Sequence, residues 1–177
     1  MSYISRWLKS DYRQKKQKQF EVIDQYLNFE PKNILDIGCG IAYESIAFNK
    51  KYNTKITLLD SNETDGRKNG WGNKDSFKFY TNLETLDKYF QSVHLKNYSL
   101  HDIKKYESNE KFDIICSYLS CGFHYPIDTY LDLISKHMHK NTRLIFSLRK
   151  NIQHNCNIIH TILEEPKFKL SEIQLHS

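Results

Sequence analysis

Two glycines and two carboxylates carry the most chemistry in this sequence. Gly38 and Gly40 lie in the run Ile34-Leu35-Asp36-Ile37-Gly38-Cys39-Gly40-Ile41-Ala42, where an apolar stretch breaks at a turn. Glycines in such a turn let a ligand approach the backbone where any Cβ would clash. An apolar strand, a glycine turn and a helix start are what a nucleotide-type site needs. The dinucleotide form of the turn reads G-x-G-x-x-G/A, but the sixth position here is Tyr43, too large for close packing of helix on strand. No G-x-x-x-x-G-K-[ST] phosphate loop occurs. Asp36 stands two positions before Gly38; a carboxylate there repels a pyrophosphate and favours a cationic amine. Asp60 follows Gly40 by twenty residues, a spacing at which a carboxylate commonly accepts hydrogen bonds from a ribose diol. Taken singly, each feature has a plainer reading, a tight turn and a loop cap.

Together, an amine near Asp36 and a ribose at Asp60 describe S-adenosylmethionine. On the run I-L-D-I-G-C-G-I-A the chain resembles the class I S-adenosylmethionine-dependent methyltransferases, over roughly residues 20–150. The resemblance implies a seven-stranded sheet with a late antiparallel strand. It implies that Asp36, Gly38 and Gly40 line the methionine end of the cofactor and that Asp60 holds the ribose hydroxyls. The family tends to place an acidic residue after the third strand, against the adenine amine. Asp102 in Leu100-His101-Asp102-Ile103 fits that role, with Ile103 packing near the ring; a helix N-cap is the alternative for Asp102. Cys39, Ser61, His101 and Ser117 complete the candidate cofactor-binding set.

Phe112-Asp113-Ile114-Ile115-Cys116-Ser117-Tyr118 matches the family's fourth strand, whose carboxyl end should border the reacting methyl group. The following Leu119-Ser120-Cys121-Gly122-Phe123-His124-Tyr125-Pro126 gathers a thiol, an imidazole, a phenol and a hydroxyl. His124 is the general-base candidate, because an imidazole of ordinary pKa ~6.5 suits proton removal near neutrality. Tyr125 or Tyr118 would orient an acceptor hydroxyl. The competing reading is that these groups only wall the pocket, since methyl transfer to a good nucleophile needs mainly alignment. Cys121 and His124 have a C-x-x-H spacing without two further ligands, so no metal is expected. Cys116 reads as a small core residue. There is no N-P-P-Y or D-P-P-Y tetrad and no Pro-Cys nucleophile pair; both absences argue against a DNA substrate.

The elements that must position these residues follow from hydrophobic periodicity. Residues 4–28 read as an amphipathic helix stopped by Pro31, with Phe20, Val22, Ile23, Tyr26 and Leu27 on its apolar stripe. Strands are expected at Asn33–Ile37, Lys55–Asp60, Ser92–Tyr98, Phe112–Tyr118 and Thr142–Leu148, with a short extended piece at Phe77–Tyr80 and a terminal strand at Lys167–Leu175. Helices are expected from the glycine turn to Lys51, at Leu83–Phe90, Ile127–His139 and residues 151–163. Residues 61–76, with three of the six glycines, read as a long loop. The loop and the first helix hold positions that often cover the cofactor in this family: Tyr12 and Arg13 toward the methionine carboxylate, Trp71 toward the acceptor. Strands alternating with helices predict an α/β, Rossmann-like, doubly wound, mostly parallel sheet of six or seven strands with helices on both faces and a shortened C-terminal end.

Composition bounds the rest. The 177 residues suit a single methyltransferase domain, with residues 1–30 as a basic amphipathic cap. Aromatic residues at 14% exclude a disordered chain. The N-terminus has no secretory core and no run of about 18 apolar residues occurs, so a cytoplasmic protein with free thiols at Cys39, Cys116, Cys121 and Cys156 is expected, with no membrane contact. The formal charge of +5 lies within residues 1–20, where Arg6, Lys9, Arg13, Lys15, Lys16 and Lys18 oppose Asp11. The favoured reading of this segment is a solvated helix face; an anion-binding arm is the alternative. The expected function is methyl transfer from S-adenosylmethionine to a hydroxyl or amine of a small molecule, with S-adenosylhomocysteine (SAH) as product. An RNA-modifying methyltransferase and a non-catalytic cofactor-binding module are the rivals.

Overall fold

Asn33–Ile37 forms the central strand β1 because four of its five residues can be buried on both faces of a sheet. In this computed structural model, which describes residues 10–62, 82–118, 120–121, 127–149, 158–163 and 171–174, β1 lies between two parallel neighbours. On one side are β2 (Lys55–Asp60) and then β3 (Tyr98–Asp102). On the other are β4 (Ile114–Ser117) and β5 (Arg143–Arg149). These five strands are parallel. Two more, β6 (Ile158–Leu163) and β7 (Ser171–Gln174), continue past β5 antiparallel, giving the order β3-β2-β1-β4-β5-β6-β7.

Alternation along the strands divides the core. Ile34, Ile114, Cys116 and Ile145 face helix α1 (Ser10–Tyr26) and helix α2 (Tyr43–Tyr52), meeting Phe20, Ile23 and Phe48. Ile56 and Leu58 meet Ile46 of α2 and Leu86 and Phe90 of helix α3 (Leu83–Ser92) on the same face. Leu35, Ile37, Leu59, Ile115, Leu144 and Phe146 point the other way, toward Ile134 of helix α4 (Leu131–His137). Helices therefore cover both faces. The first helix is a full part of the core: Phe20 and Ile23 are buried, Phe20 packs edge-on against Phe48 at 4.9 Å, and burying each contributes about 1.5–3 kcal/mol.

Several boundaries depart from the sequence expectation. The third strand was expected at Ser92–Tyr98, but α3 runs through Ser92 and the chain then turns through His94 (φ 57°) and Asn97 (φ 50°). Left-handed residues cannot continue a strand, so β3 starts at Tyr98 and ends on Asp102. A helix over residues 151–163 is contradicted at its second half, because 158–163 is β6, paired antiparallel to β5; the stretch Ile-Ile-His-Thr-Ile-Leu is rich in β-branched residues, whose stiff side chains suit a pleated surface. Helix α1 ends at Tyr26, before the proline expected to stop it, and residues 127–139 divide into a 3₁₀ turn (Ile127–Tyr130) and α4. The extended piece at 77–80 lies outside the described residues, as does nearly all of the long loop. No described helix is long and apolar enough to cross a membrane.

Candidate functional site

The glycine turn leaves β1 at its carboxyl end, between neighbours whose connections lead to opposite faces of the sheet. That is where open α/β sheets bind ligands. Gly38 and Gly40 both have positive φ, 67° and 49°. They need it for different reasons. A Cβ on Gly38 would lie 2.2 Å from the Cβ of Ser120, just beyond β4, whereas a Cβ on Gly40 would meet nothing within 4 Å among the described residues. Gly38 thus permits packing between the ends of β1 and β4. Gly40 leaves its backbone clear of the described residues, as a ligand lying on the turn requires. Ala42 follows with φ 49° and no side-chain cap, and α2 begins at Tyr43.

Asp60, the last residue of β2, holds the turn from the side. Its Oδ2 accepts the Gly40 N–H at 2.7 Å and its Oδ1 accepts the Ser61 N–H at 2.7 Å. A carboxylate has about four acceptor positions, and with the Cys39 thiol also on Oδ2 it is Oδ1 that retains capacity for a donor such as a ribose hydroxyl. Burial raises the Asp60 pKa, opposed by the N–H groups of Gly40 and Ser61 and by the Cys39 thiol. Cys39 lies against Asp60, with Sγ 3.8 Å from Oδ2. Burial and the charges of Asp60 and Asp36 push this thiol well up, so it stays protonated and is no nucleophile.

Asp36 sits beneath the turn, 1% exposed, and accepts a hydrogen bond from Ser45 Oγ at 2.6 Å. Burial pushes its pKa up to about 7; the Ser45 hydroxyl lowers it, Glu44 and Asp60 raise it, and Lys16 lowers it. A carboxylate so enclosed acts on a ligand at the turn through its field rather than by contact. Three carboxylates, Asp36, Glu44 and Asp60, surround the turn, so the site suits a ligand with a cationic end and opposes a pyrophosphate.

Other sequence candidates are placed as follows. Asp102 closes β3 in register with Asp60, and its Oδ1 accepts the Lys104 N–H at 3.0 Å in a turn, not at the start of a helix as the N-cap alternative would require. Ile103 donates its N–H to the Asp60 carbonyl at 2.9 Å and packs against the core. His101 is exposed, with its ring 5.2 Å from that of Tyr106. Ser117 is fully buried; it donates to the Ile37 carbonyl at 2.7 Å and accepts the Cys121 N–H at 2.9 Å, tying the segment after β4 to the end of β1. Cys116 is a core residue with no exposure. His124, Tyr125 and Trp71 lie outside the described residues.

Four residues near the turn were not singled out from the sequence: Lys16, Glu44, Ser45 and Ser120. Lys16 was assigned to a solvated face, yet it is 8% exposed and its Nζ lies 2.6 Å from Glu44 Oε1. A signal was present, because Lys16 precedes Phe20 and Ile23 by four and seven residues and so shares their helical stripe. Arg13, Lys15 and Lys18 are exposed, as expected of a solvated face.

Residues 5–158 match the family described as Methyltransferase domain. No curated protein sequence matches the chain. Among solved structures, a methyltransferase from Pyrococcus furiosus superposes with a TM-score of 0.54 at 15% identity, covering 77% of this chain and 64% of that one. Coclaurine N-methyltransferase bound to N-methylheliamine and SAH gives 0.52 at 18% identity, with 75% and 35% covered. The plantazolicin methyltransferase BpumL, in complex with a pentazolic desmethylPZN analog and SAH, gives 0.52 at 18%, with 81% and 49% covered. The chain thus spans between about a third and two thirds of the length of these structures. At such identities the likeness speaks for the fold. With the match across most of the chain, the glycine turn and the sheet order lead to one assignment: the chain belongs to the methyltransferase-domain family.

Proposed function

We propose that this protein binds S-adenosylmethionine at the carboxyl ends of β1 and β2 and transfers its methyl group to a hydroxyl or amine of a small molecule. The observation that carries the reading is the pairing of Gly40 with Asp60. No described residue lies within 4 Å of a Cβ built on Gly40, while its N–H is held by the Asp60 carboxylate, so a nucleoside lying on the turn would meet a ribose acceptor at its edge. The residues fit the cofactor in a second way, since the carboxylates around the turn complement its cationic end.

When bound, S-adenosylmethionine supplies a methyl group on a sulfonium, an electrophile that needs no further activation. What the chain contributes is alignment. Asp60 would fix the ribose, and the Gly38–Gly40 backbone would support the sugar and methionine portions. Asp36 would favour the ammonium end through its field. Asp102 would reach the adenine amine. Holding an acceptor at about 3–3.5 Å from the methyl carbon, in line with the bond to sulfur, supplies most of the rate. His124 is the proposed general base for an acceptor hydroxyl or ammonium, with Tyr125 orienting it; an amine already neutral needs neither.

A small acceptor is supported by two of the similar structures, one bound to N-methylheliamine and one in complex with a plantazolicin analog. An RNA substrate has less support. On α1, Arg13 points away from Lys15 and Lys18 at 100° per residue, so the exposed cations among the described residues do not share one face for a phosphate backbone. Calorimetric titration with S-adenosylmethionine and SAH, with NAD as control, tests the cofactor reading. Binding of the first two alone supports it; binding of none reduces the glycine turn to a structural feature. Binding without turnover against any acceptor in cell extracts favours the non-catalytic module.

A further inference from the structure

A lysine buried in a helix whose other described cations, Arg13, Lys15 and Lys18, are exposed needs a reason, because stripping an ammonium of solvent is expensive unless an anion repays it. Lys16 is the only buried lysine or arginine among the described residues. Its Nζ is 2.6 Å from Glu44 Oε1 and 3.1 Å from Gln19 Oε1, and it sits 5.8 Å and 5.9 Å from the ring centroids of Tyr12 and Tyr118. Glu44 is 3% exposed and lies in the first turn of α2, next to the Ser45 that donates to Asp36. Contacts therefore run from α1 through Glu44 and Ser45 to the carboxylate beneath the glycine turn.

We propose that Lys16 is a positioning residue of the cofactor site, acting through Glu44 and Ser45 to keep the Asp36 carboxylate ionised and in place for the cationic end of the cofactor. The inference rests on the cofactor reading above. Among the described residues, the groups around Asp36 are Glu44 and Ser45 from α2, Asp60 from β2, Cys39 from the turn, Cys116 from β4, Tyr118 just beyond β4, and Lys16 from α1. Lys16 is the one cation in this set. Without it, the charges of Glu44 and Asp60 would act on Asp36 with no opposing cation among the described residues, which favours a proton on Asp36. A neutral Asp36 no longer attracts an ammonium. The first helix would thus set the pH range in which the site binds, and Lys16 need not touch the ligand to do so.

The test measures SAH binding calorimetrically across pH in the wild type, Lys16→Met and Lys16→Arg. Alongside it, the ligand-free Asp36 carboxyl is titrated by carbon NMR in the same proteins and in Glu44→Gln. In Lys16→Met both the binding midpoint and the Asp36 midpoint should move to higher pH. A shift of about one unit corresponds to roughly tenfold weaker binding where the profile is steep. Lys16→Arg should restore both. Glu44→Gln should move the Asp36 midpoint down, since a neighbouring anion is lost. Uniform weakening of binding by both Lys16 variants, with an unmoved Asp36 midpoint, would mean a packing role and overturn the proposal. A proton taken up by Glu44 instead of Asp36 would overturn it as well. Absence of SAH binding in the wild type would refute the cofactor reading itself, whereas the NMR titration would still show whether Lys16 controls Asp36. Should Lys16→Met not fold, the sign of the Glu44→Gln shift decides: an upward or absent shift rules the linkage out.

Discussion

Gly38 and Ser120 lie so close that a Cβ added to the glycine would stand 2.2 Å from the Cβ of the serine. The contact joins the turn after β1 to the segment after β4, and the buried Ser117 hydroxyl fastens the same two segments from below by bonding both the Ile37 carbonyl and the Cys121 N–H. The glycine turn and Ser117, Ser120 and Cys121 at the end of β4 are therefore packed together.

Gly38→Ala should be among the most damaging single substitutions in this region. The new methyl has to displace backbone-linked atoms of Ser120, and alanine pays for a φ of 67°. Left-handed strain of about 1–2 kcal/mol and overpacking of about 1–3 kcal/mol together predict a loss of about 2–5 kcal/mol. Chemical denaturation followed by far-UV circular dichroism measures it. An unchanged unfolding midpoint would show that the two segments do not pack in this way.

Gly40→Ala separates binding from stability. Its φ of 49° carries the same strain, about 1–2 kcal/mol, but no described neighbour within 4 Å has to move. The methyl instead fills the space through which a ligand reaches the backbone. The expected result is a small drop in melting temperature with at least about tenfold weaker SAH binding, equivalent to about 1.4 kcal/mol. Equal losses of binding in Gly40→Ala and in a comparably destabilised variant elsewhere would remove Gly40 from the site.

The route from sequence to site was legible where a residue's type limits what it can do. The run Ile34–Ala42 announced a strand, a turn and a helix start because glycine at two positions and an apolar stretch before them leave few other conformations. The parallel alternation of β1, β2, β4 and β5 was legible for the same reason, in short buried runs. Where local preference was ambivalent, tertiary context decided. Residues 158–163 alternate poorly and carry a histidine, and only pairing with β5 makes them a strand. The start of β3 was hidden because Leu95 interrupts the turn between α3 and β3 with a buried apolar residue, which mimics a strand. Lys16 was misassigned because charge outweighed periodicity in the reading, although its position on the Phe20–Ile23 stripe marked it as inward-facing.

Ala42→Gly should stabilise the protein, an uncommon outcome for glycine at a helix start. Ala42 occupies the left-handed region at φ 49° and ψ 41° with no side-chain cap hydrogen bond. Glycine removes strain of about 1–2 kcal/mol and gives back about 0.4–1 kcal/mol through the greater freedom of the unfolded chain. A net gain of about 0.5–1 kcal/mol is expected, visible as a higher denaturant midpoint with an unchanged slope. Any loss of stability would mean that the Ala42 methyl, which is 3% exposed, contributes more packing than its strain costs.

Asp36→Asn should be neutral in acid and stabilising near neutrality. Burial holds the folded-state pKa of Asp36 at about 7, above its ordinary value of 3.8. Below 3.8 both states are protonated and the group is silent. As pH rises from there toward 7, the unfolded chain releases this proton while the folded protein retains it, so the stability of the wild type falls; above 7 both are ionised and the loss is constant. Asparagine keeps an acceptor for the Ser45 hydroxyl and carries no charge. The stability difference between variant and wild type should therefore grow between about pH 4 and pH 7 and then level off, reaching a few kcal/mol. Unfolding free energies measured at intervals across that range check both the sign and the window. A difference that shrinks with rising pH would mean that the folded protein stabilises the Asp36 charge, contrary to its enclosure under the glycine turn. SAH binding should weaken in the same variant at pH 8, where the wild-type carboxylate is charged, and this opposite movement of stability and affinity would mark Asp36 as a group retained for binding.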